Sequence, residues 1–163
     1  MKLVVAYVHL HPKTVEAVWD SVDELDDVRW CDTSSDESAY YRLLCDLWGE
    51  GETFVILEQD KIPDQRALRD LYDCDSPWCS YPHLMADGAE IPITQPTLGC
   101  TKFGADVMAK WPDLVERSGR LNVGLGAQHW GRLDMAITAG LTWAVGSCHV
   151  HEFGRITHDH QGA

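Results

Sequence analysis

Residues 53–63 read TFVILEQDKIP and contain the clearest strand signal in the chain. The continuous apolar run from Thr53 to Leu57 is typical of a strand that is buried on both faces. It leads directly into Glu58-Gln59-Asp60, which places two carboxylates at the carboxyl end of that strand. Pro63 then predicts the start of a helix, because proline suits the first helical turn. The stretch therefore predicts a strand, an acidic turn and a helix.

Two similar units precede it. The Val-rich run from Lys2 to Leu10 predicts a strand, and Pro12 opens a segment with apolar residues at helical spacing. Residues 28–31 predict a second strand, and Ser34 and Glu37 have the spacing of a capping box for the helix that follows. Gly49 and Gly51 predict the end of that helix. Three strand–helix units in succession predict an α/β fold with a mostly parallel sheet covered by helices.

The remainder of the chain gives a less regular pattern. Strands are predicted at Trp78–Tyr81, Thr97–Phe103 and Thr142–Phe153, helices at Ala105–Lys110 and Trp130–Ala139, and loops at 86–95 and 121–128. With 163 residues, of which 45% are hydrophobic, we expect one domain, 1–163, with a sizeable core.

Charge and cysteine usage restrict the class of protein. A net charge of −13 argues against binding to a nucleic-acid polymer or an anionic membrane. The six cysteines form no CxxC pair, which argues against a zinc ribbon. The N-terminus lacks the layout of a signal peptide, and no stretch has the apolar length of a membrane span. We therefore expect a cytoplasmic protein with reduced, mostly buried cysteines.

Polar residues follow the predicted strands at the point where each strand ends: His9, Asp32, Glu58 and Asp60. Parallel sheets bind ligands beyond the carboxyl ends of their strands. Carboxylate oxygens suit Mg²⁺ or Mn²⁺, which in turn bridge phosphate oxygens. The alternative for Asp60 is a cap of the next helix, and the alternative for Asp32 is an Asx turn.

Eight histidines offer further metal ligands: His9, His11, His83, His129, His149, His151, His158 and His160. In an extended strand His149 and His151 would share a face, and His158 and His160 could do the same. Imidazole suits Mn²⁺ or Zn²⁺ better than Mg²⁺. The alternative for each single histidine is an ordinary residue satisfied by hydrogen bonds.

Asp134 lies in the mainly apolar segment HWGRLDMAI (129–137). A carboxylate in such a segment is costly unless it is paired or used. It could serve as a general base that deprotonates a hydroxyl. The alternatives are a salt bridge to Arg132 or a solvated position.

Four stretches together resemble a glycosyltransferase of the GT-A type, of the broad family-2-like kind. They are KLVVAYVHL (2–10), CDTSSDESAYYRLLCDLWGEGETFVILEQDKIP (31–63), TLGCTKFGADVMAKWP (97–112), and HWGRLDMAI (129–137) with SCHVHEF (147–153). The acidic motif reads EQD where that family has DxD. The resemblance implies a three-layer α/β/α sandwich of the Rossmann-like, nucleotide-diphospho-sugar transferase form.

The resemblance also implies a reaction and its catalytic parts. Asp60 would bind Mn²⁺ or Mg²⁺, and His149 or His151 would complete the metal site. Asp134 would be the base of an inverting transfer. The metal would assist departure of the diphosphate.

The implied partners are a nucleotide-sugar donor and an unidentified acceptor hydroxyl. Asp32 would contact the base or ribose, and Glu58 and His9 would complete the nucleotide-binding group. Two alternatives are another metal-dependent nucleotidyl or phosphoryl enzyme, and a non-catalytic relative that kept the fold. A structural zinc protein that uses the C-terminal histidines is a third, and the thiolate spacing argues against it.

Overall fold

The computed structural model describes residues 1–82, 84–85, 97–123, 130–152 and 155–159. Its strands are β1 (Lys2–Tyr7), β2 (Asp27–Asp32), β3 (Phe54–Glu58), β4 (Lys61–Pro63), β5 (Trp78–Ser80), β6 (Leu84–Met85), β7 (Cys100–Phe103), β8 (His149–Val150) and β9 (Ile156–His158). Its helices are α1 (Pro12–Ser21), α2 (Ala39–Glu50), α3 (Ala67–Tyr72), α4 (Ala105–Lys110), α5 (Leu114–Val123) and α6 (Trp130–Ala144).

Within the described residues, the main sheet has six strands in the order β2-β1-β3-β7-β5-β8. β1 pairs in parallel with β2 and β3, and β8 pairs in parallel with β5. β7 alone is reversed, because it pairs antiparallel with both β3 and β5. The prediction of a mixed α/β fold with a mostly parallel central sheet is therefore confirmed. A smaller sheet has the order β4-β9-β6.

The core lies on both faces of the main sheet. Val4 and Ala6 belong to one buried cluster, which includes residues of α2, α5 and α6. Leu3 and Val5 belong to a second cluster, with residues of α1 and α3. Side chains alternate between the faces of a strand, so these two clusters lie on opposite sides of β1. Each fully buried aliphatic side chain contributes about 1.5–3 kcal/mol to folding.

Two local signals have the predicted effect at helix ends. α1 begins at Pro12, and the Nδ1 atom of its N-cap, His11, accepts a hydrogen bond from the Lys13 backbone N–H at 3.3 Å. α2 ends at Glu50, because Gly51 adopts φ 70° and its N–H bonds to the carbonyl of Trp48, whereas Gly49, the other glycine expected to end it, lies inside the helix. α4 has the predicted bounds.

Two predicted helix starts are wrong. The Ser34–Glu37 capping box is not formed, since α2 begins after Ser38. Pro63 lies in β4, where it pairs with Ile156 of β9, and α3 begins only at Ala67. Pairing with a distant strand thus outweighs the local preference of proline for a first helical turn.

The second half also departs from prediction. The stretch 142–153 is not one strand: α6 continues to Ala144, and among the described residues of this stretch only His149–Val150 forms a strand. α6 continues because Leu133, Ile137 and Leu141 bury one helical stripe. α5 occupies 114–123, so the predicted loop at 121–128 is wrong at its first three residues. The rest of that loop, and the loop at 86–95, fall outside the described residues.

No helix in the described part of the chain has both the length and the apolar character needed to cross a membrane.

Candidate active site

The turn after β1 is tied to the acidic turn after β3 through Gln59. Its Oε1 atom accepts hydrogen bonds from the backbone N–H groups of Val8 and His9, the latter at 2.8 Å. The hydroxyl of Thr14, in α1, donates to the Gln59 carbonyl oxygen at 2.6 Å. Gln59 is the middle residue of the EQD motif, and no sequence signal singled it out. Its amide fixes two strand ends relative to each other.

Asp60 pairs with two basic side chains. Its Oδ2 atom lies 2.7 Å from His158 Nε2, and its Oδ1 atom lies 3.1 Å from Lys61 Nζ. Lys61 is 4% exposed, and its ammonium also lies 4.0 Å from Glu58 Oε2. Burial raises the pKa of Asp60, but the His158 hydrogen bond and the Lys61 charge outweigh it and hold that pKa far below its ordinary value. Asp60 is therefore an ionised carboxylate at neutral pH.

The antiparallel pairing of β4 with β9 creates this contact, because it places Lys61 opposite His158. The next residue, Asp159, reinforces it. Its N–H donates to the Asp60 carbonyl at 3.0 Å, and its carboxylate lies 2.8 Å from Lys13 Nζ in α1. The C-terminal segment thus closes over the acidic turn.

A second carboxyl group belongs to the same electrostatic cluster. Asp134, near the start of α6, accepts a hydrogen bond from the Leu98 N–H at 2.6 Å. Burial, and then the charge of Glu58, raise its pKa to about 7. Burial also raises the pKa of Glu58, whose Oε1 accepts a hydrogen bond from the Tyr40 hydroxyl at 3.3 Å. A carboxyl group with this pKa is partly ionised near neutral pH.

Gly99 packs against this cluster with no space for a side chain. A Cβ atom there would lie 2.5 Å from Lys61 Cε and 3.0 Å from Glu58 Oε2. We expect Gly99→Ala to displace the Lys61 stem and to lower the free energy of unfolding by about 1–3 kcal/mol. Urea denaturation measures this loss.

Gly49→Ala is the matched control. Gly49 lies inside α2, and a Cβ atom there meets nothing within 4 Å. This change should stabilise the protein by about 0.5–1 kcal/mol, because alanine favours helix. Equal stability of Gly99→Ala and the wild type would show that the Lys61 stem is free to move.

His9 and Asp32 lie at the ends of the neighbouring strands β1 and β2, and both are exposed. The Asp32 carboxylate accepts a hydrogen bond from the Ser34 N–H at 2.8 Å, which is the predicted Asx turn. Hydrogen bonds with Ser34, together with the nearby His9, hold the pKa of Asp32 below its ordinary value. Their nucleotide-binding role stays a prediction.

His149 and His151 lie outside the group of side chains that surrounds Asp60. The register of β5 and β8 sets His149 opposite Cys79, and the His151 ring stacks on Tyr81 at 4.6 Å between centroids. Both Cys79 and Tyr81 pack in the cluster formed with α1 and α3. Burial, then the charge of His149, hold the pKa of His151 below its ordinary value.

β8 is three strands away from β3 in the sheet, which is a lateral distance of about 14 Å at the usual strand spacing. Among the described residues, the histidine in contact with Asp60 is therefore His158, and not the predicted His149 or His151. The sequence shows this histidine within His158-Asp159-His160, but it does not indicate that the segment pairs with β4. His83, His129 and His160 lie outside the described residues.

Comparison with solved structures shows a likeness of fold. The fold is similar to a glycosyltransferase involved in the glycosylation of the major capsid of PBCV-1, with a TM-score of 0.51 and 12% identity. The alignment covers 93% of this chain and 81% of that one. No protein-family model and no curated protein matches the chain. At this identity the likeness concerns the fold alone, which is a glycosyltransferase-like α/β fold.

Proposed function

We propose that the chain is a GT-A-type glycosyltransferase that moves a sugar from a nucleotide-sugar to an acceptor hydroxyl, with help from a divalent metal ion. The three-layer α/β/α arrangement belongs to the same proposal. One observation carries it: the ionised Asp60 carboxylate, in the turn after β3, pairs with the His158 imidazole, and the Asp134 carboxyl with a pKa of about 7 belongs to the adjoining charge cluster. The fold likeness is consistent with this reaction.

The donor set at Asp60 fits Mn²⁺. A carboxylate oxygen and an imidazole nitrogen lie 2.7 Å apart, and Mn²⁺ accepts both ligand types. We assign Asp60 and His158 as the protein ligands, so that His158 takes the place expected for His149 or His151. A bound metal would neutralise the charge that develops on the departing diphosphate.

Lys61 has a complementary role in this proposal. Its ammonium already lies at the Asp60 carboxylate, where it stabilises that charge in the free protein. A cation at the same carboxylate would repel it, and the phosphate groups of a donor offer a new anionic partner. Lys61 would then help to orient the donor.

Asp134 would act as the base. Its carboxyl group is oriented by the hydrogen bond from Leu98, and its pKa of about 7 leaves a large fraction ionised at neutral pH. In an inverting transfer it would remove the acceptor's hydroxyl proton as the oxygen attacks the sugar. His9 and Asp32, exposed at the ends of β1 and β2, would contact the nucleotide.

A thermal-shift panel tests the proposal. Nucleoside diphosphates and UDP- or GDP-sugars are added with and without Mn²⁺. We expect one nucleotide to raise the melting temperature only when Mn²⁺ is present, since a ligand at 100 times its Kd stabilises by about 2.7 kcal/mol. His158→Gln should abolish the shift, because it removes a proposed ligand.

His149→Gln is the matched control, and it should respond as the wild type does. The reverse outcome, loss in His149→Gln and retention in His158→Gln, would restore the sequence-based assignment of the metal site. If no nucleotide gives a Mn²⁺-dependent shift, transfer from a nucleotide-sugar loses its support.

A further inference from the structure

Three metal-ligating side chains converge outside the site described above. Cys74 follows α3, His149 begins β8, and His151 comes just after it. One ligand atom from each lies within 4.8 Å of the other two. Among the described residues, no other group of three or more histidine, cysteine or acidic side chains brings its ligand atoms this close together.

The His151 ring is held in a fixed orientation. It stacks on Tyr81, and its backbone N–H donates to the Ser80 carbonyl at 3.0 Å. Its Nε2 atom is buried and has no hydrogen-bond partner among the described residues. Buried polar atoms in native proteins are nearly always satisfied, so this nitrogen lacks a partner that a metal ion would supply.

The loop that carries Cys74 is equally well anchored. Lys102, a buried lysine of β7, donates to the carbonyl oxygen of Cys74 and, at 2.8 Å, to that of Ser76. The Ser76 N–H in turn points to the Cys74 sulfur at 3.4 Å. Cys74 is a free cysteine and is half-buried. The sulfur is thus presented on a loop whose backbone is fixed.

We propose that Cys74, His149 and His151 bind Zn²⁺, with a fourth position open to solvent. One thiolate and two imidazoles favour Zn²⁺ over Mg²⁺ or Mn²⁺. Tetrahedral zinc places such ligand atoms about 3.4 Å apart. The three ligand atoms lie within 4.8 Å of one another, so they would have to draw closer around the metal ion, and the His149 side chain is exposed. This site would join the loop after α3 to the edge strand β8.

Binding of Co²⁺, which substitutes for zinc and absorbs light, tests the proposal. The full chain is treated with a chelator and titrated with Co²⁺. We expect a thiolate-to-cobalt charge-transfer band that saturates at one equivalent and disappears when Zn²⁺ is added. Cys74→Ser should lose that band.

His149→Gln provides a second arm that does not depend on the cysteine. Because loss of an outer-shell partner already weakens metal binding by 10–100-fold, loss of this ligand should weaken it by at least about 100-fold. The side chain is exposed, so the variant should fold normally.

Cys31→Ser and His158→Gln are the controls. Cys31 lies in β2, at the opposite edge of the sheet, and His158 belongs to the Asp60 pair. Both variants should keep the band. Absence of a charge-transfer band in the wild type, its survival in Cys74→Ser, or unchanged affinity in His149→Gln would each overturn the proposal. None of these outcomes depends on sugar transfer.

Discussion

Asp134→Asn is expected to lower the transfer rate by about 10²–10⁴-fold, the usual contribution of a general base, while making the protein more stable at neutral pH. The amide oxygen can still accept the hydrogen bond from the Leu98 N–H, so the local structure is kept. What the substitution removes is a buried negative charge close to Glu58. A gain in stability together with a loss of activity is expected when a functional residue lowers the stability of the fold that contains it.

The gain in stability should depend on pH. Burial raises the pKa of Asp134 from its ordinary 3.8 to about 7, so the folded state favours the protonated carboxyl. Below pH 3.8 both states hold the proton and the carboxyl does not destabilise the fold. Between pH 3.8 and about 7 the unfolded chain ionises while the folded state keeps the proton, so the cost to folding grows with pH and levels off above about pH 7, at about 4 kcal/mol at most. Asparagine avoids this cost.

Urea denaturation at pH 5 and pH 8 measures the effect, and the advantage of Asp134→Asn should be larger at pH 8. The wild-type rate should rise through about pH 7 as the base ionises. Asp113→Asn, at an exposed ion pair, should change stability by less than about 0.5 kcal/mol. Full activity in Asp134→Asn would show that Asp134 is not the catalytic base. An equal change in stability at both pH values would show that the Asp134 carboxylate does not destabilise the fold.

Asp60→Asn is expected to abolish the Mn²⁺-dependent nucleotide response and to destabilise the protein by about 2–4 kcal/mol. The destabilisation arises because Lys61 is buried and Asp60 is its close anionic partner, whereas Glu58 is 4.0 Å away. Removing one member of a buried pair leaves a charge without compensation. The pKa of Asp60 is depressed, so the wild-type advantage is present above its ordinary value of 3.8 and disappears as the pH falls below it.

A double variant separates the two effects. Asp60→Asn with Lys61→Met removes both charges, and it should recover most of the lost stability without recovering the nucleotide response. Asp36→Asn is the control, because its ion pair with Arg42 is exposed and should contribute little to stability. If Asp60→Asn alone kept a metal-dependent shift, Asp60 would not be a ligand.

The strand–helix order of the first half could be predicted because each signal is local. The apolar run of 53–57, Pro12 at the start of α1 and Gly51 at the end of α2 act through neighbours within one or two turns of chain. The grouping of polar residues at strand ends followed from topology, since parallel strands end at one edge. Glu58 and Asp60 were predicted as site residues in this way.

Prediction failed where a partner comes from far along the chain. Pro63 lies in a strand, and His158 contacts Asp60, because β4 pairs with β9, which is almost a hundred residues further along the chain. Asp134 lies 76 positions after Glu58, and their shared charge effect arises from the packing of α6. Nothing within a short window indicates such pairings, because their stability depends on the total surface that the fold buries.

The sequence by itself thus determined the fold class, the acidic turn and the presence of a carboxylate on the α6 segment, since residue type and spacing act locally. Only the tertiary structure decided which histidine contacts Asp60, which ammonium balances it, and which histidines join Cys74. A register between distant strands fixes those contacts, and a shift of one residue would turn every side chain to the other face.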